Sequence, residues 1–280
     1  MSSLYQGHSI ALLTQHGKEK LIAPVLEPAL GCHIAHTGGY DTDQLGTFSG
    51  EIKRLESQLE TARKKAQIGM SLIGARYGIA SEGSFIPDPF TGLMPWNIEV
   101  VIWIDVPNNL EIMGVAQGPA RNIRKPITTA QDLERFALEA GFPEHQVVLR
   151  PESPEDPRVH KGIFEWPSLH QTFGALQHLA GNHVVYGESD LRAFSNPTRQ
   201  TMIQKATHDL LNKIKSTCPS CGSPGFWVTS HETGLPCRMC GHPTKLALRE
   251  KWTCQSCHFS HEALSSVRTA EPKQCDFCNP

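Results

Sequence analysis

The chain has 280 residues, of which 39% are hydrophobic and 19% charged, and its formal net charge is −2. These values describe an ordinary soluble globular protein, and the length suits one moderate domain with an appendage. No apolar run is long enough to cross a bilayer, and the first residues lack the basic and apolar regions of a signal peptide. The sequence therefore excludes a membrane-spanning or secreted protein and predicts a cytoplasmic one.

Residues 1–217 are predicted to form one α/β domain, in which a mixed sheet is flanked by helices. Short apolar runs predict its strands, and apolar residues spaced three and four apart predict its helices. The predicted strands are 10–13, 32–35, 77–81, 99–105, 110–115, 146–149 and 184–186. The predicted helices are 21–30, 59–73, 130–140 and a last helix that begins at Asn196 and Pro197.

The first turn of this domain joins a strand to a helix and contains Thr14, His16 and Lys18. A helix that starts after a glycine turn exposes unpaired amides at the positive end of its dipole. Thr14 adds a hydroxyl and Lys18 adds a cation, so the turn suits an anion such as phosphate. The alternative is a solvent-exposed connection without a ligand.

Two carboxylates are the candidate catalytic residues. Glu82 follows an apolar strand and precedes a glycine, a position suited to a metal or substrate ligand. Glu60 is the second, but the sequence Ser57-Gln-Leu-Glu60 also fits a capping box, in which the glutamate bonds to the amide of the cap residue. Asp41 and Asp43 are suited equally to a cation site and to Asx turns.

These pieces together resemble the ITP pyrophosphatase-like fold, whose members hydrolyse nucleoside triphosphates between the α and β phosphates. The resemblance implies that Thr14–Lys18 is a phosphate loop. It implies a magnesium-binding role for Glu60 and a basic, phosphate-binding role for Lys65 in Glu60-Thr-Ala-Arg-Lys-Lys-Ala66. Ser81-Glu-Gly83 is similar to the acidic turn of that superfamily.

The chain departs from that superfamily at three places. Gln15 stands where asparagine is usual, and the acidic pair is reduced to Glu82. The Ser-His-Arg substrate motif is absent, and the comparable cations are Arg192 and Arg199 near the start of the last helix.

Residues 218–280 contain four Cys-x-x-Cys pairs, which predict two structural zinc ions in tandem zinc ribbons with four cysteine ligands each. Disulfides are the alternative, but cytosolic thiols stay reduced. The segments between the first two pairs and between the last two are each long enough for a hairpin, so consecutive pairs are predicted to share a site. A cross-braced arrangement would instead join the first pair to the third. The cysteines are Cys218, Cys221, Cys237, Cys240, Cys254, Cys257, Cys275 and Cys278.

The whole chain is similar to an uncharacterised bacterial family, a domain of unknown function with the same cysteine pairs. The similarity includes Asp41-Thr-Asp43, Gly46-Thr-Phe48, Ala80-Ser-Glu-Gly-Ser-Phe85 and Asn196-Pro-Thr-Arg199. This family carries no established activity.

The sequence thus supports two hypotheses of function. The first is a Mg²⁺-dependent hydrolase of a nucleotide or another phosphorylated small molecule, with Lys18 holding the phosphates and with Glu60 and Glu82 holding the magnesium. The alternative is a non-enzymatic adaptor whose zinc ribbons bind protein or nucleic acid. Residues 218–280 carry six Lys or Arg against five acids, so attraction to a phosphate backbone is weak.

Overall fold

The computed structural model describes residues 4–46, 56–181 and 183–280. Its contacts divide the chain into two compact units. The first comprises Met1–Val106 and Met113–Leu211, and the second comprises Pro107–Ile112 and Asn212–Pro280. The boundary after residue 217 stays a prediction. Most of the motif at 46–48 lies outside the described residues.

A five-stranded mixed sheet, as predicted, lies in the first unit except for the first three residues of its last strand. Its strands are β1 (Ser9–Leu13), β2 (His33–Thr37), β3 (Tyr77–Pro87), β4 (Pro95–Asp105) and β5 (Leu110–Pro119). They lie in the order β2-β1-β3-β4-β5. Strand β1 pairs in parallel with β2 and β3, whereas β4 runs antiparallel to β3.

The two helices that connect the parallel strands are α1 (Glu19–Leu30) and α2 (Gln58–Ile73). The chain moves from β1 outward to β2 through α1 and then back past β1 to β3, with α2 in this second connection. Because both crossovers are expected to be right-handed, the two helices cover opposite faces of the sheet. On the α2 face, Ala62 and Ala66 pack against Ala80 and Ile102. These alanines allow the close contact between helix and sheet that places α2 beside β3.

A second sheet, antiparallel throughout, accounts for most of the remaining first unit. Its strands are β6 (Arg124–Ile127), β7 (Val147–Pro151), β8 (His160–Ile163) and β9 (Val185–Ser189), in the order β6-β9-β7-β8. The helices α3 (Ala130–Ala140) and α4 (Trp166–Leu179) contribute to its core, with Phe136, Leu149 and Leu169 among the fully buried residues. Helix α3 was predicted with its bounds and its glycine cap at Gly141. The sequence did not predict β6, β8 or α4, because the two strands have only four residues each and α4 lacks a side-chain N-cap.

The last helix, α5 (Pro197–Lys215), starts where the sequence predicts. Its cap is confirmed, since Oδ1 of Asn196 accepts a hydrogen bond from the amide of Arg199 at 3.0 Å. Every helix in the described part of the chain is too short or too polar to span a membrane.

The second unit contains a three-stranded antiparallel sheet. Its strands β10 (Trp227–Thr233), β11 (Ala247–Thr253) and β12 (Ser260–Leu264) lie side by side in chain order. Beside it Phe226, Trp252, Cys218 and Cys254 form one small cluster of buried or half-buried side chains. So small a core needs a further source of stability, which metal binding can supply.

Candidate functional site

The eight paired cysteines gather in two clusters of four. Within each cluster all four sulfur atoms lie within 4.8 Å of one another. Sulfurs from different pairs approach to 3.6 Å (Cys221 to Cys254) and 3.7 Å (Cys218 to Cys257) in one cluster. A tetrahedral zinc ion with Zn–S bonds of about 2.3 Å places its sulfurs about 3.8 Å apart. Each cluster can therefore hold one zinc ion, and the predicted pair of four-cysteine clusters is confirmed.

The predicted pairing of the cysteine motifs is wrong. The first pair shares a cluster with the third (Cys218, Cys221, Cys254 and Cys257), and the second shares one with the fourth (Cys237, Cys240, Cys275 and Cys278). The segment between the first two pairs forms one strand, β10, rather than a hairpin. Each strand of the meander reverses direction, so alternate pairs meet at the same end of the sheet. This is the cross-braced arrangement.

The two clusters present different surfaces. At the first cluster, Gln255 exchanges hydrogen bonds with the backbone of Glu111, which belongs to the same unit. At the second cluster, Met239 is 75% exposed and Phe277 is 67% exposed. The ring of Phe277 stacks on His242 with an interplanar angle of 4°. The second cluster therefore carries a flat, accessible aromatic surface.

A second candidate site lies at the carboxyl end of β1, next to β3. The chain leaves β1 through α1 toward β2, whereas β3 leads through a hairpin to β4 on its other side, so the strand order diverges between β1 and β3. Open α/β sheets bind ligands at the carboxyl ends of strands where the order diverges. Pairing of β1 with β3 ends at Leu12 and Ile79, and β3 continues beyond it. There Nζ of Lys18 donates a hydrogen bond to the carbonyl oxygen of Ser81 at 2.6 Å. The Lys18 side chain is thereby buried beside the part of β3 that extends past the end of β1.

Glu82 lies beside Lys18 on the α2 side of the sheet. The sequence placed it after a strand, but β3 extends to Pro87 and Glu82 lies inside the strand, opposite Val100. Its buried carboxylate accepts a hydrogen bond from the ammonium group of Lys65, which projects from α2. Glu82 is therefore a buried carboxylate paired with Lys65, not a carboxylate exposed at the end of a strand.

A second buried ion pair lies next to Lys18 and Glu82, on the face of the sheet opposite to α2. Nε of Arg199 donates to Oε1 of Glu99 at 2.6 Å, and both side chains are at most 1% exposed. The pair crosses β3 over Gly83, where a Cβ atom would lie 2.3 Å from Oε1 of Glu99. Any side chain at Gly83 would displace this pair, so the glycine makes room for the charges. We call Lys18, Lys65, Glu82, Glu99 and Arg199 the Lys18 cluster.

The Lys18 cluster has three cationic side chains and two carboxylates. Burial and, after it, the guanidinium of Arg199 lower the pKa of Lys18 to about 7. Among the described residues, no group forms a hydrogen bond with Oε2 of Glu99 or with Oγ of Ser81, although both atoms are buried. A site with surplus cations and unsatisfied polar atoms is suited to an anionic, hydrogen-bonding ligand.

His16 lies next to the Lys18 cluster. Burial and the Lys18 ammonium lower the pKa of His16 to about 4, so its ring is neutral near pH 7. Its amide donates to Oγ1 of Thr14 at 3.3 Å, and its Nε2 lies 3.6 Å from a carboxylate oxygen of Asp43. Asp41 accepts from the amide of Asp43, which is the Asx turn weighed as an alternative. The turn at 14–18 is therefore stabilised by its own Thr14 hydroxyl and by its contact with the loop at 41–43.

The predicted cation Arg192 lies outside the Lys18 cluster. It contacts the ring of Phe194, which in turn lies next to His16 in the turn. Its guanidinium is held by Asp190 at 2.6 Å and covers the ring of Phe194 at 4.6 Å. The Phe194 ring in turn lies 5.7 Å from that of His16, measured between centroids. Arg192 thus belongs to the border of the site.

Glu60 is not brought to the Lys18 cluster. It forms the capping box of α2, in which its Oε2 accepts from the amide of Ser57 at 2.9 Å. It lies on the exposed side of the helix with Arg63 and Lys64, because Lys65 and the buried Thr61 occupy the other side. The expected Mg²⁺ site of Glu60 and Glu82 therefore does not fit this geometry. Apart from the cysteine clusters, no group of three or more histidine, cysteine or carboxylate ligands gathers among the described residues.

Sequence reasoning missed Glu99 and Phe194 as site residues. Glu99 carries a usable signal, since it stands alone in the apolar run Ile98-Glu-Val-Val-Ile-Trp-Ile104 and charges are rarely placed in a buried strand without a partner. Phe194 has no such signal, because its exposure follows only from the fold of the loop before α5.

Comparison with protein families places most of the chain in a family of unknown function. A model for a domain of unknown function, DUF6671, matches residues 65–280, which are 216 of the 280 residues. The matched span includes Lys65, Glu82, Glu99, Arg199 and the eight paired cysteines, whereas the turn at 14–18 precedes it. No curated protein matches the chain. The similarity to the ITP pyrophosphatase-like fold stays a prediction. With most of its length matched, the chain belongs to the DUF6671 family.

Proposed function

We propose that the first unit binds a phosphorylated small molecule, such as a nucleotide, at the Lys18 cluster and hydrolyses its phosphate linkage. The observation that carries the proposal is that the buried Lys18 and Arg199 and the half-buried Lys65 gather at the carboxyl end of β1. Buried charges are costly unless they are balanced. Among the described residues, the cluster sets three basic side chains against two carboxylates, so its net charge is positive whenever Lys18 is protonated. A phosphate group would complete the balance.

The same groups suit phosphoryl chemistry. Transfer of a phosphoryl group needs positioning and neutralisation of charge more than a strong nucleophile, and the three cations supply both. Lys18, with its pKa lowered to about 7, can hold or release a proton near neutral pH. Oε1 of Glu82 is fixed by Lys65, so this carboxylate has a defined position beside the ligand. No step of the proposal depends on Mg²⁺.

A hydrolysis screen tests this function. Nucleoside phosphates and sugar phosphates are incubated with the full chain, with and without Mg²⁺, and released phosphate and pyrophosphate are measured. We expect turnover by the wild type and a loss of at least about tenfold in Lys18→Met and Glu82→Gln. Glu60→Gln is the matched control, since Glu60 is the one of the two candidate carboxylates that lies outside the cluster. The activity of this variant should stay within about twofold of that of the wild type.

Titration calorimetry with the same compounds separates binding from turnover. A wild-type protein that neither binds nor hydrolyses any of them overturns the proposal. Binding without turnover rejects hydrolysis and leaves a ligand sensor. Circular dichroism of each variant shows that a loss of activity is not a loss of fold, and Lys65→Met serves as a second variant if Lys18→Met does not fold.

The second candidate function is that of an adaptor whose zinc-binding unit contacts protein or nucleic acid. The exposed Met239 and the stacked Phe277 at the second four-cysteine cluster favour it. Zinc binding by all eight paired cysteines requires reduced thiols, which supports a cytoplasmic location. Retention of a partner by the wild type but not by a Phe277→Ser variant, with no turnover in the screen, would favour this function.

A further inference from the structure

We infer that His16, Arg192 and Phe194 form a binding face for a planar aromatic ring, so that the ligand of the Lys18 cluster is a nucleotide rather than a sugar phosphate. This inference rests on the proposed function. The three side chains border the cluster on one side and are joined by ring and cation–π contacts. We call them the ring-binding face.

The position of the ring-binding face suits a ligand that carries both a phosphate and a ring. His16 precedes Lys18 by two residues in the same turn, and its ring lies 5.7 Å from that of Phe194. Phe194 is 45% exposed, although it stands between the buried residues Ala193 and Ser195. Phe194 therefore presents part of its ring to solvent next to the polar cluster, where a ring of a ligand held by that cluster could stack on it.

The ring-binding face is held in place by Arg199 of the cluster and by Asp190. Nη1 of Arg199 donates to the carbonyl oxygen of Leu191 at 2.6 Å, which fixes the loop that carries Arg192 and Phe194. The carboxylate of Asp190 accepts hydrogen bonds from Nε of Arg192 at 3.0 Å and from Nη2 of Arg192 at 2.6 Å. Because these contacts hold Arg192 and the loop of Phe194 in place, stacking of a ring would require little further ordering of side chains.

The chemistry of the ring-binding face suits a nucleobase but does not select one base over another. Phe194 offers an apolar π surface, and the guanidinium of Arg192 is itself a flat group that stacks on rings. His16 stays neutral near pH 7, so its ring can contact a base without adding charge. Stacking of this kind tolerates any base, because every base has a π face.

Calorimetry with matched ligands tests the inference. The probes are adenosine 5′-monophosphate and ribose 5-phosphate, which share the sugar and the phosphate and differ in the ring. We expect Phe194→Leu to weaken binding of the nucleotide about tenfold and to change that of ribose 5-phosphate less than twofold. Phe194→Trp should retain nucleotide binding. Phe164→Leu is the control, since Phe164 is also exposed (56%) but precedes α4 in another part of the first unit.

The outcomes separate this inference from the proposed function. If the wild type binds both probes equally, or if Phe194→Leu weakens both by the same factor, the ring-binding face is rejected while phosphate binding stands. If neither probe binds to the wild type and inorganic pyrophosphate also fails to bind, both proposals fall. Loss of all binding in Lys18→Met, together with a ring-specific loss in Phe194→Leu, supports both.

Discussion

At the scale of single residues, Lys18 shows how surroundings change chemistry. Its side chain is buried at 5% exposure and is faced by charged groups from α2, β3, β4 and α5: Lys65, Glu82, Glu99 and Arg199. Burial is the largest cause of the lowered pKa and Arg199 the second, whereas the two carboxylates act in the opposite direction. A lysine in this position is half-neutral near pH 7, unlike one in water.

The lowered pKa of Lys18 predicts that stability rises with pH. Below about pH 7 both the folded and the unfolded chain carry this proton, and the folded chain pays for a buried charge. Between about 7 and 10.5 the folded chain has released the proton and the unfolded chain still holds it, so the free energy of unfolding increases. The contribution approaches about 1.4 kcal/mol per pH unit.

Urea unfolding of the wild type and Lys18→Met at several pH values between 6 and 9 measures this contribution as a difference of slopes. We expect the wild type to gain stability relative to the variant as the pH rises. Parallel curves for the two proteins would show that Lys18 does not titrate in this range.

At the scale of elements, the cysteine clusters of the second unit are organised by its strand order. Trp227 in β10 lies opposite Thr253 in β11, and Thr253 also lies opposite Ser260 in β12. These pairings place the first and third cysteine pairs at one end of the sheet. The other ends of the strands lead to the second and fourth pairs. The spacing of cysteines along the chain does not contain this information.

Zinc content of two double variants tests the cross-braced pairing. Cys221→Ala with Cys257→Ala removes two ligands of one cluster, so we expect one zinc ion per chain to remain. Cys221→Ala with Cys240→Ala removes one ligand from each cluster, so we expect little zinc at either. Pairing of consecutive motifs would exchange these two results. Elemental analysis of freshly reduced protein distinguishes them, with the wild type expected to hold two ions.

At the scale of the whole molecule, the two units differ in what stabilises them. The first unit buries large sets of apolar side chains against its sheets. Among the described residues, the second has a small core beside its first four-cysteine cluster. Binding of structural zinc contributes about 10–16 kcal/mol in small metal-dependent folds, so zinc removal should act mainly on the second unit.

Hydrogen exchange measured before and after zinc chelation tests this difference. We expect the amides of β10, β11 and β12 to lose protection, while those of β1 and β3 keep it. Zinc added back should restore the protection. Equal loss of protection in β3 and β11 would mean that the whole chain unfolds as one cooperative unit.

The sequence alone predicted features that depend on neighbouring residues. The bounds of α3, the cap of α5, the Ser57–Glu60 capping box and the four zinc-binding motifs are all encoded within a few positions. Each rests on hydrogen bonds or ligands that a single turn supplies. Short strands without alternating apolar residues, such as β6 and β8, were beyond this kind of reasoning.

Only the tertiary structure decided which local features meet. Lys18 and Ser81 are 63 residues apart, yet they are in contact because β1 and β3 are adjacent in the sheet. Glu99 and Arg199 are 100 apart and are in contact because the start of α5 lies against β3 and β4. Glu60 and Lys65 share one helix, but only Lys65 faces the sheet and reaches Glu82. The local sequence sets the helix and its cap. Strand order and the face of each side chain decide which charges are buried together, and these depend on packing across the whole unit.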